Sequence, residues 1–214
     1  MILKINEDYH IDHPMRIAKV VESIEIAAPQ DEVFDIIVNC DRRLQLSPLW
    51  GVAKLMHVSP DFPAEGSCYH VRLNQEDGQE YDTIVTDLVP KSKFGYRLTT
   101  RRETRTVWTM QAGPKGTRLV YYEEFLVEDS GEEEFVQSVR NVVRQWLANI
   151  RRYAELRGSW QKRFLRRLVD RFLLPLRVDQ RRVIFLALAW QAVSCLAFLA
   201  VALGFGVAKL LGLV

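Results

Sequence analysis

Apolar and polar residues recur with changing period along this chain, and the changes divide it into elements. From Arg16 to Ala28, Val20, Ile24 and Ile26 stand among Glu22, Ser23 and Glu25, the texture of a half-buried strand, which Pro29 closes. Gln30 to Val38 turns helical, with Val33, Phe34, Ile36 and Ile37 on one side. Asp31 and Glu32 lie at its N-terminal end, where the helix dipole favours negative charge. A second short helix is predicted over Arg42 to Leu46, ahead of Ser47-Pro48.

Beyond Trp50-Gly51 the pattern is β. Strands are predicted over Val52–Ser59, Ser67–Gln75, Gln79–Val89, Lys93–Thr100, Thr104–Ala112 and Thr117–Val127. The turn-rich stretch Pro60–Gly66, the Glu76-Asp77-Gly78 turn, Pro90-Lys91-Ser92 and Gly113-Pro114-Lys115-Gly116 separate them. Short connections between consecutive strands make an antiparallel meander. Gly131–Arg157 then reads as one long helix, with Phe135, Val139, Val142, Val143, Trp146, Leu147, Ile150 and Tyr153 on a single apolar face. The sheet is the only surface broad enough to cover that face.

Two membrane signals follow. Trp160, Phe164, Leu168 and Phe172 recur every fourth residue, with Leu165, Val169 and Leu173 beside them and Lys162, Arg163, Arg166, Arg167, Asp170 and Arg171 between. A broad apolar face opposite a basic one suits a helix lying among anionic headgroups. Packing of that face on the soluble domain is the alternative. The expected membrane-surface residues are Trp160, Arg163, Phe164, Arg166, Arg167, Leu168, Arg171 and Phe172. Pro175 breaks this helix. From Val183 to Ala208 no side chain is charged. As a helix that run reaches roughly 39 Å, more than the ~30 Å hydrocarbon core. Basic residues crowd its N-terminal flank from Arg157 to Arg182, against Asp170 and Asp179 alone. Lys and Arg near a span stay on the cytoplasmic side, so a single-pass protein with its N-terminal domain in the cytoplasm is predicted.

The predicted organisation is an arm over 1–15, a folded domain over 16–157, a basic amphipathic segment over 158–182, a transmembrane helix over 183–208 and a short tail over 209–214. The formal charge of the 214-residue chain is only +2, with the basic surplus beside the span and acids at Glu128, Asp129, Glu132, Glu133 and Glu134. Phospholipid therefore accounts for the basic patch, and a nucleic-acid partner is not expected. Cys40, Cys68 and Cys195 are isolated, so neither a disulfide framework nor a zinc site is expected.

Several stretches carry a family resemblance: Val21-Glu22-Ser23-Ile24-Glu25-Ile26-Ala27-Ala28-Pro29, Glu32-Val33-Phe34-Asp35 and Leu46-Ser47-Pro48-Leu49-Trp50. Gly116-Thr117 and the helix end Trp146-Leu147-Ala148-Asn149-Ile150-Arg151-Arg152-Tyr153-Ala154-Glu155 add to them. In order and spacing, residues 16–157 resemble the helix-grip superfamily of START and birch-pollen-allergen proteins, in its polyketide cyclase/dehydrase and lipid-transport branch. The resemblance implies an α+β fold: a curved antiparallel sheet of about seven strands gripping the long helix, with room for an apolar ligand between them. Members bind lipids, sterols, quinones or polyketides, and a minority catalyse cyclisation or hydrolysis.

On that fold, Val139, Val143, Trp146 and Ile150 are the helix residues expected to face the sheet. Tyr69, Val71, Leu73, Tyr81, Phe94, Tyr96, Leu98, Trp108, Tyr121 and Phe125 are the strand candidates for the cavity, or else simple core. Strand phase decides between Trp108 and Val107, and between Tyr121 and Tyr122. The histidines His10, His13, His57 and His70 show no metal-ligand spacing, and His70 has the opposite phase to Tyr69 and Val71. His57 with Asp82 or Asp87 is the one acid–base pair worth testing, and no catalytic residue is assigned. Arg97, Arg101, Arg102 and Arg105 surround one hairpin, as an anionic-headgroup site or a solvated surface. No cofactor or metal is expected. The resulting expectation is a membrane-tethered cytoplasmic binding module for an apolar ligand (lipid, quinone, isoprenoid or polyketide-like). Its alternatives are a cyclase/dehydrase-type enzyme on a membrane-soluble intermediate, and a cavity-less assembly protein that oligomerises through Gly204 and Gly206 of the span.

Overall fold

Seven antiparallel strands form one curved sheet in the order β1-β7-β6-β5-β4-β3-β2. The computed structural model describes residues 15–49, 53–73, 80–99, 104–128, 132–176 and 178–210. The strands are β1 Met15–Ile26, β2 Ala53–Val58, β3 Cys68–Leu73, β4 Glu80–Val89, β5 Lys93–Leu98, β6 Thr104–Gly113 and β7 Gly116–Glu128. Helices α1 Gln30–Val38 and α2 Cys40–Leu46 join β1 to β2, and α3 Glu132–Ala154 follows β7. Next come α4 Trp160–Leu168, a π-helical turn Val169–Leu173 and α5 Val178–Leu210. The meander runs from β2 to β7 as its alternation predicts, and β1 completes the sheet against β7. The N-terminal arm before Met15, Trp50-Gly51, the Glu76-Asp77-Gly78 turn, Arg101 and Arg102, and the final four residues lie outside the described residues.

Register fixes which residues face inward. Ala18 pairs with Phe125, Val20 with Glu123, Ile24 with Leu119 and Ile26 with Thr117, so the odd-numbered residues of β7 share a face with the even-numbered ones of β1. The same face continues through Thr106, Trp108 and Met110 of β6 and through Phe94 and Tyr96 of β5. At the β1–β7 end, Gly116 has φ +136° and its backbone crosses close to Ile26 and Ala28. A Cβ there would meet the Ile26 carbonyl oxygen at 2.2 Å, which explains the glycine. Thr117 Oγ1 also donates to the Ala28 carbonyl at 2.7 Å.

Helix α3 lies across the inner face. Val143, Leu147, Ile150, Tyr153 and Ala154 are buried in one cluster with Val20, Ile26, Trp108 and Leu119. Two side chains of α3 hold α2: Trp146 Nε1 donates to the Arg43 carbonyl at 3.0 Å, and Asn149 Nδ2 to that of Leu46 at 3.0 Å. Asn39 caps α2 by accepting from the Arg42 amide at 2.9 Å.

The chain divides into two units, one through Leu174 and one from Pro175. In the first, α4 and the π turn pack on the sheet-and-helix body. Arg166 pairs with Glu32, Arg157 Nη1 reaches the same carboxylate at 3.0 Å, and Tyr153 Oη donates to Asp170 at 2.7 Å. Leu174 is buried and Val169 packs against the core. One sequence expectation changes here. Arg166, expected at a membrane surface, turns inward onto Glu32 and over the Tyr153 ring, at 4.8 Å from its centroid. The alternative in which the apolar face of this helix packs on the domain is not seen at Trp160, Phe164 and Phe172, which are exposed, as are Arg163, Arg167 and Arg171. The second unit contains α5, whose stretch Leu186–Leu203 has no buried residue and is long and apolar enough to cross a membrane. Within it Ser194 Oγ bonds back to the Trp190 carbonyl at 3.0 Å, so that hydroxyl is satisfied by its own helix.

Candidate ligand site between sheet and helix

The concave face of the sheet is aromatic, and the rings meet in groups, mostly edge to face. Trp108 lies 4.6 Å from Tyr121 and 5.1 Å from Trp146, both T-shaped contacts between ring centroids. Tyr96 lies 5.7 Å from Phe94 and 6.3 Å from Tyr69, and Phe62 reaches both Tyr69 and Phe94. Tyr69, Val71, Phe94, Tyr96, Trp108, Tyr121, Phe125, Val143 and Ile150 are buried on this face, and Tyr81, Leu98, Val139 and Trp146 are half-buried beside them. Trp108 and Tyr121 face inward and Tyr122 does not, which resolves the two phase choices. The side chain of Leu73 lies outside the described residues.

Two charged groups enter this apolar face, and neither was singled out from the sequence. Arg43 of α2 is completely buried. It follows Cys40 and precedes Leu46 at helical spacing, so the buried side of α2 carries a guanidinium. Its Nη1 donates to the Ile37 carbonyl and its Nη2 to Tyr69 Oη at 2.8 Å. The cation sits 4.9 Å from the Phe94 ring centroid, 5.0 Å from Tyr96 and 5.5 Å from Tyr69, an aromatic cage in place of a carboxylate. No ion pair to Arg43 exists among the described residues, and its Nε has no hydrogen-bond partner.

The second group is Glu123, half-buried on β7 between the inward Tyr121 and Phe125. Desolvation pushes its carboxyl up to about 7, although the Tyr121 hydroxyl donates to it and partly offsets the rise. Its signal was present in the alternation, since position 123 has the phase of Tyr121 and Phe125. Burial likewise raises the phenols of Tyr69 and Tyr121, and raises Tyr81 to about 12, so all three stay protonated donors at neutral pH. The Trp108 indole N–H comes near Tyr96 Oη without the alignment of a hydrogen bond, and Thr83 Oγ1 stands likewise to Tyr69. The interior thus offers unused donors from Arg43 and Trp108, and a carboxyl poised near neutrality.

The other candidates are elsewhere. His70 faces outward, held between Asp82 at 2.8 Å and Glu80 at 2.9 Å, and these hydrogen bonds raise its pKa. Asp87 is held by Lys93 at 2.6 Å and Arg105 at 3.4 Å on the outer face, so the acid–base pairing of His57 with Asp82 or Asp87 does not form. Arg97 is exposed on the same side. No cluster of metal-ligating side chains occurs among the described residues.

A seven-stranded sheet wrapped on one long helix, with an aromatic interior, defines a helix-grip domain. Residues 18–155 match the family described as polyketide cyclase/dehydrase and lipid transport, and the chain belongs to that family. Membership carries a hydrophobic-ligand-binding or cyclase role at the level of the class. Solved structures share the fold. A protein from Rhizobium leguminosarum is 21% identical with a TM-score of 0.50, covering 65% of this chain and 98% of its own. The di-domain ARO/CYC StfQ of the steffimycin biosynthetic pathway is 14% identical with a TM-score of 0.53, covering 65% of this chain and 51% of its own. Ara h 8.0201 is 14% identical with a TM-score of 0.50, covering 66% of this chain and all (100%) of its own. Among curated proteins no match is found.

Proposed function

We propose that this protein is a membrane-tethered binding domain for an apolar molecule with an oxygen-bearing end, of lipid, quinone, isoprenoid or polyketide-like class. The carrying observation is Arg43, a fully buried guanidinium with no carboxylate partner among the described residues and an unused Nε. A buried donor without an acceptor is costly, and a carbonyl or carboxylate of a ligand would relieve that cost. The aromatic rings around it suit a flat or branched hydrocarbon body. Helix α5 spans the bilayer in this reading, with the domain on the cytoplasmic side as the flanking basic residues require. A tether shortens the path of a ligand through water, where each exposed CH₂ costs about 0.8 kcal/mol.

The test is native mass spectrometry and solvent extraction of the full chain purified from membranes in mild detergent. One apolar, oxygen-bearing species should accompany the wild type and be lost from a folded Arg43→Met variant. A wild-type protein that carries no small molecule, and takes none from a membrane extract, overturns the reading.

A cyclase- or dehydrase-type reaction is the second reading, and Glu123 is the observation that favours it. A carboxyl with a pKa near 7, bonded to the Tyr121 phenol inside an apolar site, is suited to proton transfer at neutral pH. Retained binding of the extracted ligand by Glu123→Gln, with loss of any turnover, would separate this reading from simple carriage.

A further inference from the structure

The exposed face of α4 and the π turn is uncovered by the described residues of its own unit, and its chemistry is unusual for a solvated surface. Trp160 is 70% exposed, Phe164 55% and Phe172 62%, each far beyond what an isolated domain needs to show to water. Arg163, Arg167 and Arg171 are exposed between them, and none forms an ion pair among the described residues. Phe164, Arg167, Leu168, Arg171 and Phe172, with Asp170 at the rim, line one open groove of about 560 Å³. Trp160 and Arg163 continue it along the helix. Asp170, the one carboxylate among the described residues that line the groove, already accepts from Tyr153.

The opposite side of the same helix is fixed. Ser159 caps it at the Lys162 amide, Arg166 reaches Glu32, and Leu174 is buried. The π turn inserts at Val169–Leu173, adding a residue to the turn, so Phe172 continues the exposed face while Leu174 is buried. The domain therefore holds out a face on which aromatics border arginines. Arginine stems lie along apolar surface while their heads seek anions, and aromatic rings favour the interfacial depth. The apolar stretch starts at Leu186, only a short segment of chain after Leu174, so any bilayer that α5 enters is close along the chain.

We infer that this face is a seat on the anionic phospholipid surface of the membrane, with Trp160, Phe164 and Phe172 entering the headgroup–acyl boundary and Arg163, Arg167 and Arg171 engaging phosphates. It rests on the reading of α5 as a span, and it adds an orientation: the domain lies against the bilayer through α4 rather than hanging free on its tether.

The test places the photocrosslinker p-benzoylphenylalanine at Phe164 or Phe172 of the full chain, an aromatic for an aromatic. Ile17, exposed on the outer face of β1, is the control position. The protein is reconstituted in vesicles of phosphatidylcholine alone or with about 30% phosphatidylglycerol. Lipid adducts at 164 and 172 should exceed those at 17 by about tenfold in the anionic vesicles, and fall in neutral ones. Reversal of Arg163, Arg167 and Arg171 to Glu should lower them, and replacement of the same three by Lys should preserve most of them. Adduct levels equal to those at 17, equal levels in both vesicle types, or crosslinks to a second protein chain in place of lipid each overturn the proposal. Carbonate extraction of the same samples reports on α5 alone. Release into the supernatant sinks the span while adducts at 164 and 172 still judge the seat.

Discussion

Arg43 Nη2 donates a 2.8 Å hydrogen bond to Tyr69 Oη across the sheet–helix interior, joining a buried cation on α2 to strand β3. Because nothing acidic shares that guanidinium among the described residues, the phenol oxygen is among its few acceptors. Tyr69→Phe keeps the ring in the cage and removes only the acceptor. We expect it to destabilise the protein by about 1–3 kcal/mol, the cost of a buried donor left unmade, read by chemical denaturation of the full chain in detergent. An unchanged midpoint would show that Arg43 finds another acceptor or solvent.

Glu123 ties stability to pH. Its folded pKa of about 7 lies above the ordinary value of 4.5, so the folded state holds the proton more tightly than the unfolded chain. Its contribution is therefore fully present below pH 4.5, declines as pH rises, and is gone above about 7. Glu123→Gln, which mimics the protonated form, should flatten this part of the pH–stability curve. Above neutrality it should stabilise by something on the order of 1–3 kcal/mol, allowing for partial solvent screening. A variant with the same slope as wild type between pH 4.5 and 7 would place the titration on another group.

The element pattern was legible because each change of period is reinforced by local chemistry. Pro29 ends β1, Asp31 and Glu32 open α1, and Gly116 with Thr117 starts β7. Inward alternation on β7 follows from Tyr121, Phe125 and Val127, so the inward-facing aromatics are readable from phase alone. Glu123 carried the same phase signal, but a carboxylate in a strand is read as solvent-facing by default. Arg43 was hidden for a different reason. A seven-residue helix has too few turns to declare its buried side, and only the approach of Tyr69 and Tyr96 in space shows that Arg43 lies on it. On α4 the four-residue spacing of the aromatics was visible. That Arg166 turns inward depends on the Glu32 contact across 134 residues of chain.

Gly116 is the position where the sheet tolerates least. Its φ of +136°, with the Ile26 carbonyl oxygen 2.2 Å from where a methyl would stand, leaves no room for alanine without moving backbone. Gly116→Ala should cost about 3 kcal/mol or more and lower the thermal midpoint of the domain. Gly95→Ala also meets a neighbour, at 2.8 Å, but that neighbour is the Asp87 side chain. There the loss should be smaller, limited to displacing Asp87 from Lys93 and Arg105. Equal losses at the two glycines would contradict the distinction between backbone and side-chain obstruction.

Glu32 is the point at which α1 holds α4, since one carboxylate receives both Arg157 and Arg166. The pairs are partly exposed, so their worth to global stability is small, within about 1 kcal/mol. Their effect on position is larger, because Arg166 also stacks on Tyr153, and Tyr153 binds Asp170. Glu32→Gln removes the charge and keeps the shape. We expect the denaturation midpoint to move little while amide exchange across 160–173 accelerates several-fold, the signature of local release rather than unfolding. Tyr153→Phe should act in the same direction by freeing Asp170, and the double variant should release less than the sum, because both contacts restrain one segment. Exchange in 160–173 that stays at the wild-type rate in Glu32→Gln would mean that Leu174 and Val169 alone seat the helix.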